Sequence, residues 1–167
     1  MNQQALQEQL RSLRLGHLAK ALEQQQSQVT TYEDMSFDER LGLLAQHEIL
    51  CRQNAKIQRL IRQAKLRLDA HANRLDYRAT RGLRKDKVAT LLSGQYLHYA
   101  HNIIITGATG CGKTYLACAL GQQACEQHHT VKYYRLGQLL DELNIGHADG
   151  SYRQQLAQLA KKKLLIL

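Results

Sequence analysis

The chain lacks proline and tryptophan altogether, and it has one phenylalanine among its 167 residues. Without proline, no helix is interrupted by a missing backbone N–H. With eight tyrosines as the other aromatic residues, the core must rest mainly on Leu, Ile and Ala, which favours helices. No apolar run approaches the length of a membrane span, and the N-terminus has no signal-peptide core. We therefore expect a cytoplasmic protein that does not enter a membrane.

The cysteines offer no metal-binding pattern. Cys51, Cys111, Cys118 and Cys125 contain no C-x-x-C pair, and the last three recur every seven residues. Such spacing keeps side chains on roughly one face of a helix. The interpretation is small buried thiols in a reducing compartment rather than a zinc site or a disulfide.

Positive charge is concentrated in one part of the chain. Between Ile49 and Thr90 there are twelve Lys/Arg and three Asp, an excess that equals the net charge of +9 for the whole chain. A local excess of this kind indicates a polyanionic partner, most often nucleic acid. A solvated helix face is the alternative.

The first 72 residues are predicted to form a helical module. Leucines at helical spacing predict a helix over 4–26, followed by a polar stretch. Ser36 and Glu39 have the spacing of a capping box, from which a second helix can run to about Ala72. Its apolar stripe is predicted to contain Leu43, Leu50, Ile57, Ile61, Ala64 and Leu68.

The same long helix carries a row of cations. Arg52, Lys56 and Arg59 follow i, i+4, i+7 spacing and so share one face. Cations one helical turn apart can meet successive phosphates, which gives binding that is independent of sequence and sensitive to salt. The candidate DNA-binding residues are Arg52, Lys56, Arg59, Arg62 and Lys65.

A connector over 73–100 is predicted to contain a turn at Gly82 and a short helix from Lys85 to Leu92, closed by Ser93 and Gly94. From 101 to 167 the pattern changes to strands alternating with helices. Strands are predicted at 102–106, 130–135 and 164–167, and helices at 113–127, 136–144 and 151–161. This order predicts an α/β fold with a parallel sheet and helices on both faces.

Residues 107–114, GATGCGKT, match the Walker A pattern of P-loop NTPases in full. Glycines let the backbone approach an anion, so the N–H groups of this loop can converge on a phosphate at a helix N-terminus. Lys113 is expected to reach the β- and γ-phosphates, and the Thr114 hydroxyl to ligate Mg²⁺. The predicted phosphate-binding residues are Gly107, Ala108, Thr109, Gly110, Cys111, Gly112, Lys113 and Thr114.

Hydrolysis would also need a carboxylate at the end of a neighbouring strand. The apolar strand LLIL is the natural candidate for that position, but the sequence ends at Leu167. Asp141, Glu142 and Asp149 fall in or between predicted helices and are interpreted as surface groups. We expect a chain truncated before its catalytic acid, which binds ATP but hydrolyses it weakly or not at all.

Several segments together resemble the IstB-like transposition helper ATPases, relatives of the DnaC-like helicase loaders in the AAA+ class. The resemblance rests on the leucine-rich first helix, on SFDERLGLLAQHEILCRQNAKIQRLIRQAKL, on LDYRATRGLRKDKVATLLSGQYLHYAHNIIITGATGCGKTYLACALG and on VKYYRLGQLLDEL. It covers nearly the whole chain and implies an AAA+ P-loop ATPase domain over 101–167 behind an N-terminal DNA-binding and assembly module.

The resemblance implies a protein that binds ATP and Mg²⁺, assembles as a homo-oligomer on double-stranded DNA when full length, and stimulates the transposase of its own element. The basic helix lies in the region that the family uses for DNA. Two alternatives stay open, namely a helicase loader in DNA replication and a non-catalytic remnant that binds DNA and nucleotide. A small nucleotide kinase is disfavoured because the sequence LGQLLDELNIGHADG offers no acceptor site.

Overall fold

The computed structural model describes residues 2–77 and 83–167. The turn predicted at Gly82 lies outside these residues. The described chain forms two compact units, Met1–Lys56 and Ile57–Leu167. The domain limits expected at residues 72 and 100 stay a prediction.

Within the described residues the chain forms nine α-helices, one 3-10 helix and two strands. In chain order these are α1 (Gln3–Ser12), α2 (Gly16–Ser27), α3 (Val29–Tyr32), α4 (Phe37–Ala64), the 3-10 helix (Ala72–Arg74), α5 (Lys85–Leu92), α6 (Gln95–His98), α7 (Lys113–Glu126), β1 (Val131–Tyr133), α8 (Leu136–Asp149), α9 (Tyr152–Ala160) and β2 (Leu164–Ile166). In this part of the chain no helix is both long enough and apolar enough to cross a membrane.

The single helix predicted over 4–26 is wrong, because the structure breaks it into α1 and α2. Arg14 adopts a left-handed conformation with φ 60°. Its N–H donates to the Arg11 carbonyl and the Leu15 N–H donates to the Leu10 carbonyl, both at 2.9 Å. This is the Schellman pattern that satisfies the last carbonyls of a helix. It usually employs glycine, so the arginine gave no stop signal.

The predicted capping box at the start of α4 is confirmed. The Ser36 backbone N–H donates to Glu39 Oε2 at 2.8 Å, and the Glu39 N–H donates to Ser36 Oγ at 3.3 Å. The hydrogen bonds from the Ser36 side chain and backbone hold the pKa of the Glu39 carboxyl below its usual value. The helix thus begins with its free N–H groups satisfied by its own side chains.

The apolar stripe predicted for α4 is wrong in its first half and at Leu68, which is exposed and lies beyond the end of the helix. Leu43 and Leu50 are exposed, whereas Leu44 and Glu48 are about 5% exposed. Packing therefore selects a face rotated by one residue from the heptad read in the sequence. A buried glutamate on that face explains why hydrophobicity alone did not locate it.

The expected end of this helix at Ala72 is also wrong, because α4 stops at Ala64. Lys65 turns into the left-handed region with φ 51°. Leu66 then packs closely over Gly121 of α7. If residue 121 carried a Cβ, that atom would lie only 2.9 Å from Leu66 Cδ2. The contact between Leu66 and Gly121 redirects the chain, and no glycine or proline marks the site.

The sheet contains β1 and β2, paired in parallel with Val131 opposite Leu164 and Tyr133 opposite Ile166. These strands confirm the predictions at 130–135 and 164–167, and the mixed α/β class is confirmed with them. The buried strand predicted at 102–106 is wrong. The described structure assigns it no strand, and Ile104 is 86% exposed. A strand requires hydrogen-bonding neighbours, and among the described residues this segment has none.

The core of the second unit forms around α7 and β1. Val131 is buried with residues from the end of α4, from α6 and from α7, namely Leu60, Ala64, Tyr96, Leu97, Ala124 and Cys125. Seven of the fourteen residues of α7 are buried. This packing fixes the helix whose first residue is Lys113.

The remaining helix predictions agree with the structure to within a few residues. The helix from Lys85 to Leu92 is confirmed at both ends, and Gly94 closes it with φ 78°. Helix α7 ends at Glu126, one residue before its expected end, and α8 extends five residues beyond 144. Short helices α3 and α6 were not predicted.

Candidate nucleotide-binding site

The Gly107–Thr114 loop enters α7 through glycine conformations that other residues avoid. Gly110 has φ 80° and Gly112 has φ 94°, both in the left-handed region. Gly112 immediately precedes Lys113 and serves as the N-cap of α7. The backbone at these two positions therefore favours glycine, in agreement with the role predicted for the loop glycines.

Lys113 is held over the loop that precedes it. Its Nζ donates to the Gly107 carbonyl at 2.9 Å and to the Ala108 carbonyl at 2.7 Å. The third ammonium hydrogen has only a weak acceptor, Cys111 Sγ at 4.0 Å, which an anion above the loop can replace. The geometry places a positive charge beside the first turn of α7.

The N-terminus of α7 carries no side-chain cap. The first N–H groups of a helix have no partner inside the helix, and its dipole favours negative charge at that end. With Lys113 in the first turn, this end of α7 has the features of a phosphate site.

Two cavities adjoin the loop within the second unit. One, of about 700 Å³, is lined by Lys113, Thr114 and the residues of β2. The other, of about 580 Å³, lies between the loop, Tyr115 and the connector residues Arg74, Leu75 and Asp76. Both volumes fall within the range of small-molecule sites, about 300–1,000 Å³.

The residues of the second cavity were missed at the sequence level. Arg74, Leu75 and Asp76 precede the loop by some thirty residues, and Tyr115 follows it within a helix. No motif spacing connects them. The signal that could have found them is the tripeptide Arg74-Leu75-Asp76, two opposite charges on either side of a leucine, and this pattern is common in sequences.

Mg²⁺ would depend on the nucleotide for most of its ligands. Residues 2–77 and 83–167 contain no group of three His, Cys, Asp or Glu that could hold a metal ion. Thr114 lines the larger cavity beside Lys113, which fits a hydroxyl ligand that completes a phosphate-bound ion. Asp141, Glu142 and Asp149 are exposed and lie in α8, as their interpretation as surface groups predicted.

The four cysteines do not share one environment. Cys118 and Cys125 are buried, and burial, with a smaller contribution from the Glu126 charge, raises the pKa of the Cys125 thiol to about 11. Cys111 is exposed in the loop, so the prediction of a buried thiol is wrong there. Its Sγ lies 4.0 Å from Lys113 Nζ.

Among the candidate DNA-binding residues, Arg52 already has partners within its own unit. Its Nε donates to Glu48 Oε1 at 2.6 Å and its Nη2 to the Arg14 carbonyl at 2.5 Å. Burial alone would raise the pKa of Glu48, but hydrogen bonds from Arg52 and from the Leu18 N–H hold that pKa below its usual value. Arg52 therefore joins the α1–α2 turn to α4.

The other four candidates on or just after α4 are exposed and form no ion pair within the described residues. Lys56 lies in the first unit, and Arg59, Arg62 and Lys65 lie in the second. Unpaired cations on the surface are available for phosphate groups. Their contact with DNA stays a prediction.

A family model described as "IstB-like ATP binding protein" matches residues 8–167. The chain belongs to the IstB-like ATP-binding family. The P-loop NTPase class predicted from the Walker A pattern follows from this membership.

Several curated proteins are similar to this IstB-like chain. A protein of Pseudomonas fluorescens, named as an ATP-binding protein of insertion sequence IS1162, is 47% identical over 160 residues, which are 95% of this chain and 69% of that protein. A protein of Sinorhizobium fredii that is named as an insertion sequence ATP-binding protein is 38% identical. The match covers 81% of this chain and 55% of that protein. One from Mycobacterium tuberculosis with a similar name is 30% identical over 98% of this chain and 64% of its own length. The chain thus spans about half to two thirds of the length of the curated relatives it matches.

Proposed function

We propose that this IstB-like chain binds ATP with its phosphates in the Gly107–Thr114 loop. The observation that carries the proposal is the start of α7, where left-handed glycines, uncapped N–H groups and the Lys113 ammonium converge. In this arrangement Lys113 binds the β- and γ-phosphates and Thr114 contributes its hydroxyl to Mg²⁺. The ion, when bound, neutralises phosphate charge.

The cavity of about 580 Å³ beside the loop is the proposed place for the base and ribose. It shares residues 107, 108 and 111–113 with the phosphate site, so a ligand can extend continuously from one to the other. Leu75, Leu83 and Leu116 give it apolar walls, and Arg74 and Asp76 add polar groups at the same rim. Such a combination suits a nucleoside.

A protein that combines this ATP site with DNA binding would serve as a helper of insertion-sequence transposition. We infer ATP-dependent assembly of homo-oligomers on double-stranded DNA and stimulation of the transposase of the same element, in the cytoplasm. The proposal is supported by the relatives named as insertion-sequence proteins and by the exposed cations Lys56, Arg59, Arg62 and Lys65. A helicase loader shares the same ATPase parts, but the names of the relatives favour transposition.

Hydrolysis by this chain alone is proposed to be weak. Among the described residues no aspartate or glutamate lines the larger cavity, which contains Thr114. A carboxylate is the usual group that holds Mg²⁺ and positions the attacking water. The non-catalytic binding module is therefore the second candidate for the 167-residue polypeptide.

ATP binding is tested by thiol labelling of Cys111, which is exposed within the loop. Mg-ATP is expected to slow alkylation of Cys111 at least several-fold, while labelling of Cys51, outside the second unit, continues unchanged. Mass spectrometry of each peptide gives both rates in one sample. Equal Cys111 rates with and without ATP would contradict the proposed site.

DNA binding is tested by the salt dependence of affinity. Replacing Lys56, Arg59 and Arg62 together with glutamine should flatten the log–log slope by roughly one unit per lost phosphate contact, about three in all. Lys20, on α2, provides a matched control substitution on another helix. An unchanged slope would assign these cations to a solvated face. The transposase role is tested separately, by strand-transfer assays with the transposase of the same element.

A further inference from the structure

A chain of polar side chains connects the 3-10 helix region to α7. His71 Nδ1 lies 2.6 Å from Gln122 Nε2, and His71 Nε2 lies 3.3 Å from Asp69 Oδ1. The second amide hydrogen of Gln122 is directed to Glu126 Oε1 at 3.3 Å. We define Asp69, His71, Gln122 and Glu126 as the latch cluster.

The donors and acceptors of the latch cluster are consistent along its whole length. The Gln122 amide has two donor hydrogens, one for Glu126 and one for His71 Nδ1. His71 Nδ1 must then accept, which assigns the ring proton to Nε2, the nitrogen that lies 3.3 Å from Asp69 Oδ1. Gln122 is 5% exposed. A buried amide with every hydrogen used fixes the imidazole in one orientation.

Tyr115 attaches the same connector at a second point. Its hydroxyl accepts from the His71 N–H at 3.3 Å and lies 3.4 Å from the His71 carbonyl, to which it can donate. Tyr115 directly follows Thr114 in the first turn of α7. The neighbouring Ala70 is fully buried with Cys118 and Ala119 of the same helix. Residues 70 and 71 are therefore fixed to α7 by packing and by hydrogen bonds together.

The chain that follows this attachment point forms the wall of the second cavity. The 3-10 helix runs from Ala72 to Arg74, and Arg74, Leu75 and Asp76 then face the phosphate loop across that cavity. The Arg74 N–H donates to the His71 carbonyl at 3.1 Å, so the position of His71 helps to determine where Arg74 lies. Tyr115 belongs to both the attachment and the cavity lining.

We infer that the four latch-cluster residues are positioning residues that, together with Tyr115 of the cavity lining, hold the nucleoside wall of the ATP site in register with the phosphate loop. None of the four cluster residues lines the cavity itself, so they act through Arg74–Asp76. The inference rests on the proposed ATP binding. It predicts that the cluster affects recognition of the base and ribose, and leaves recognition of the phosphates unchanged.

The test compares ATP with inorganic tripolyphosphate, which carries the phosphates without the nucleoside. In the 167-residue chain, His71→Leu and Tyr115→Phe are expected to weaken ATP binding about five- to tenfold each, since each removes hydrogen bonds of partly buried groups. Tripolyphosphate affinity should stay within twofold. His71→Asn, whose Oδ1 can replace Nδ1 as the acceptor for Gln122, should restore most of the ATP affinity.

Gln123→Met, next to the cluster but without a side-chain hydrogen bond among the described residues, is the matched control and should bind both ligands normally. An unaltered ATP affinity in His71→Leu and Tyr115→Phe would overturn the inference alone. An equal loss of ATP and tripolyphosphate binding would also overturn it, because the effect would then belong to the loop or to folding. If the unsubstituted chain bound neither ligand, the proposed function itself would fail.

Discussion

Helices α4 and α7 begin in opposite ways. At the start of α4, Ser36 and Glu39 satisfy each other's backbone N–H groups, so this end needs nothing from outside the chain. At the start of α7, Gly112 provides no side chain, and Lys113 holds its ammonium over the loop. One helix end is completed by its own sequence, and the other is left open for an anion.

The same contrast continues along α4. Its first half uses polar groups internally, because Glu48 binds both Arg52 and the Leu18 N–H. Beyond Arg52 the cations are exposed and form no ion pair within the described residues. Polar groups paired within the fold stabilise it, whereas unpaired groups at the surface are either solvated or available to a ligand. Four substitutions test this division.

The largest effect is expected at the open end of α7. Lys113→Ala should weaken ATP binding about 10- to 100-fold, because a hydrogen bond to a charged group contributes roughly 1.5–3 kcal/mol. Titration with a fluorescent ATP analogue measures this loss, and circular dichroism should show an intact fold. Lys161→Ala, an exposed lysine outside the loop, is the control. Affinity equal to that of the unsubstituted chain would remove Lys113 from the site.

The next effect concerns the internal pair of α4. Arg52→Ala leaves the buried Glu48 without its closest donor and the Arg14 carbonyl without a partner, so unfolding should become easier by about 2 kcal/mol. Lys56→Ala, one turn later and without an ion pair in the described chain, should change stability by less than about 0.5 kcal/mol. Urea denaturation compares the two variants. If the Arg52→Ala and Lys56→Ala variants were equally stable, Arg52 would belong with the exposed cations of α4 instead of with an internal pair.

A smaller effect is expected at the capped end of α4. Ser36→Ala should lower the free energy of unfolding by about 1 kcal/mol, the usual value of an N-cap side chain. ATP affinity should not change. Ser36→Asp keeps an acceptor at the cap and should recover most of the loss. Thermal denaturation gives the ranking, and a Ser36→Ala variant as stable as the parent would show that this cap is dispensable.

The smallest effect is a pH dependence at the same cap. Hydrogen bonds with Ser36 lower the folded-state pKa of Glu39 below its usual 4.5. Its contribution to stability is therefore complete above the unfolded-state pKa and is lost as pH falls through the lower folded-state value. Glu39→Gln keeps an acceptor but does not titrate, so its melting temperature should approach that of the parent chain as pH falls below 4.5. A constant difference down to pH 3 would contradict this assignment.

Local chemistry explains what the sequence predicted well. Ser36 and Glu39 satisfy each other within four residues, and the glycines of the Walker A pattern act through their own backbone angles. The α5 helix was placed correctly because Gly94 gives a local stop signal. In each case the residues that produce the structure are neighbours in the chain, so their spacing is sufficient information.

Tertiary contacts decided the features that the sequence did not predict. Arg14 and Lys65 adopt left-handed conformations without being glycine, and Lys65 does so next to Leu66, which packs over Gly121. The contact between His71 and Gln122 joins residues 51 positions apart. The exposure of Ile104 depends on which strands lie beside 102–106. None of these partners can be read from local pattern.

The unpaired segment 102–106 has a consequence for nucleotide affinity. It leads directly into Gly107, the first residue of the phosphate loop, and in the described chain no ladder of hydrogen bonds holds it. A nucleotide that restricts the loop would also restrict this segment, and a neighbouring strand would restrict it beforehand. The two events are thermodynamically linked, and each must strengthen the other by the same factor. We therefore expect a strand that pairs with Ile104 to strengthen ATP binding without touching the nucleotide.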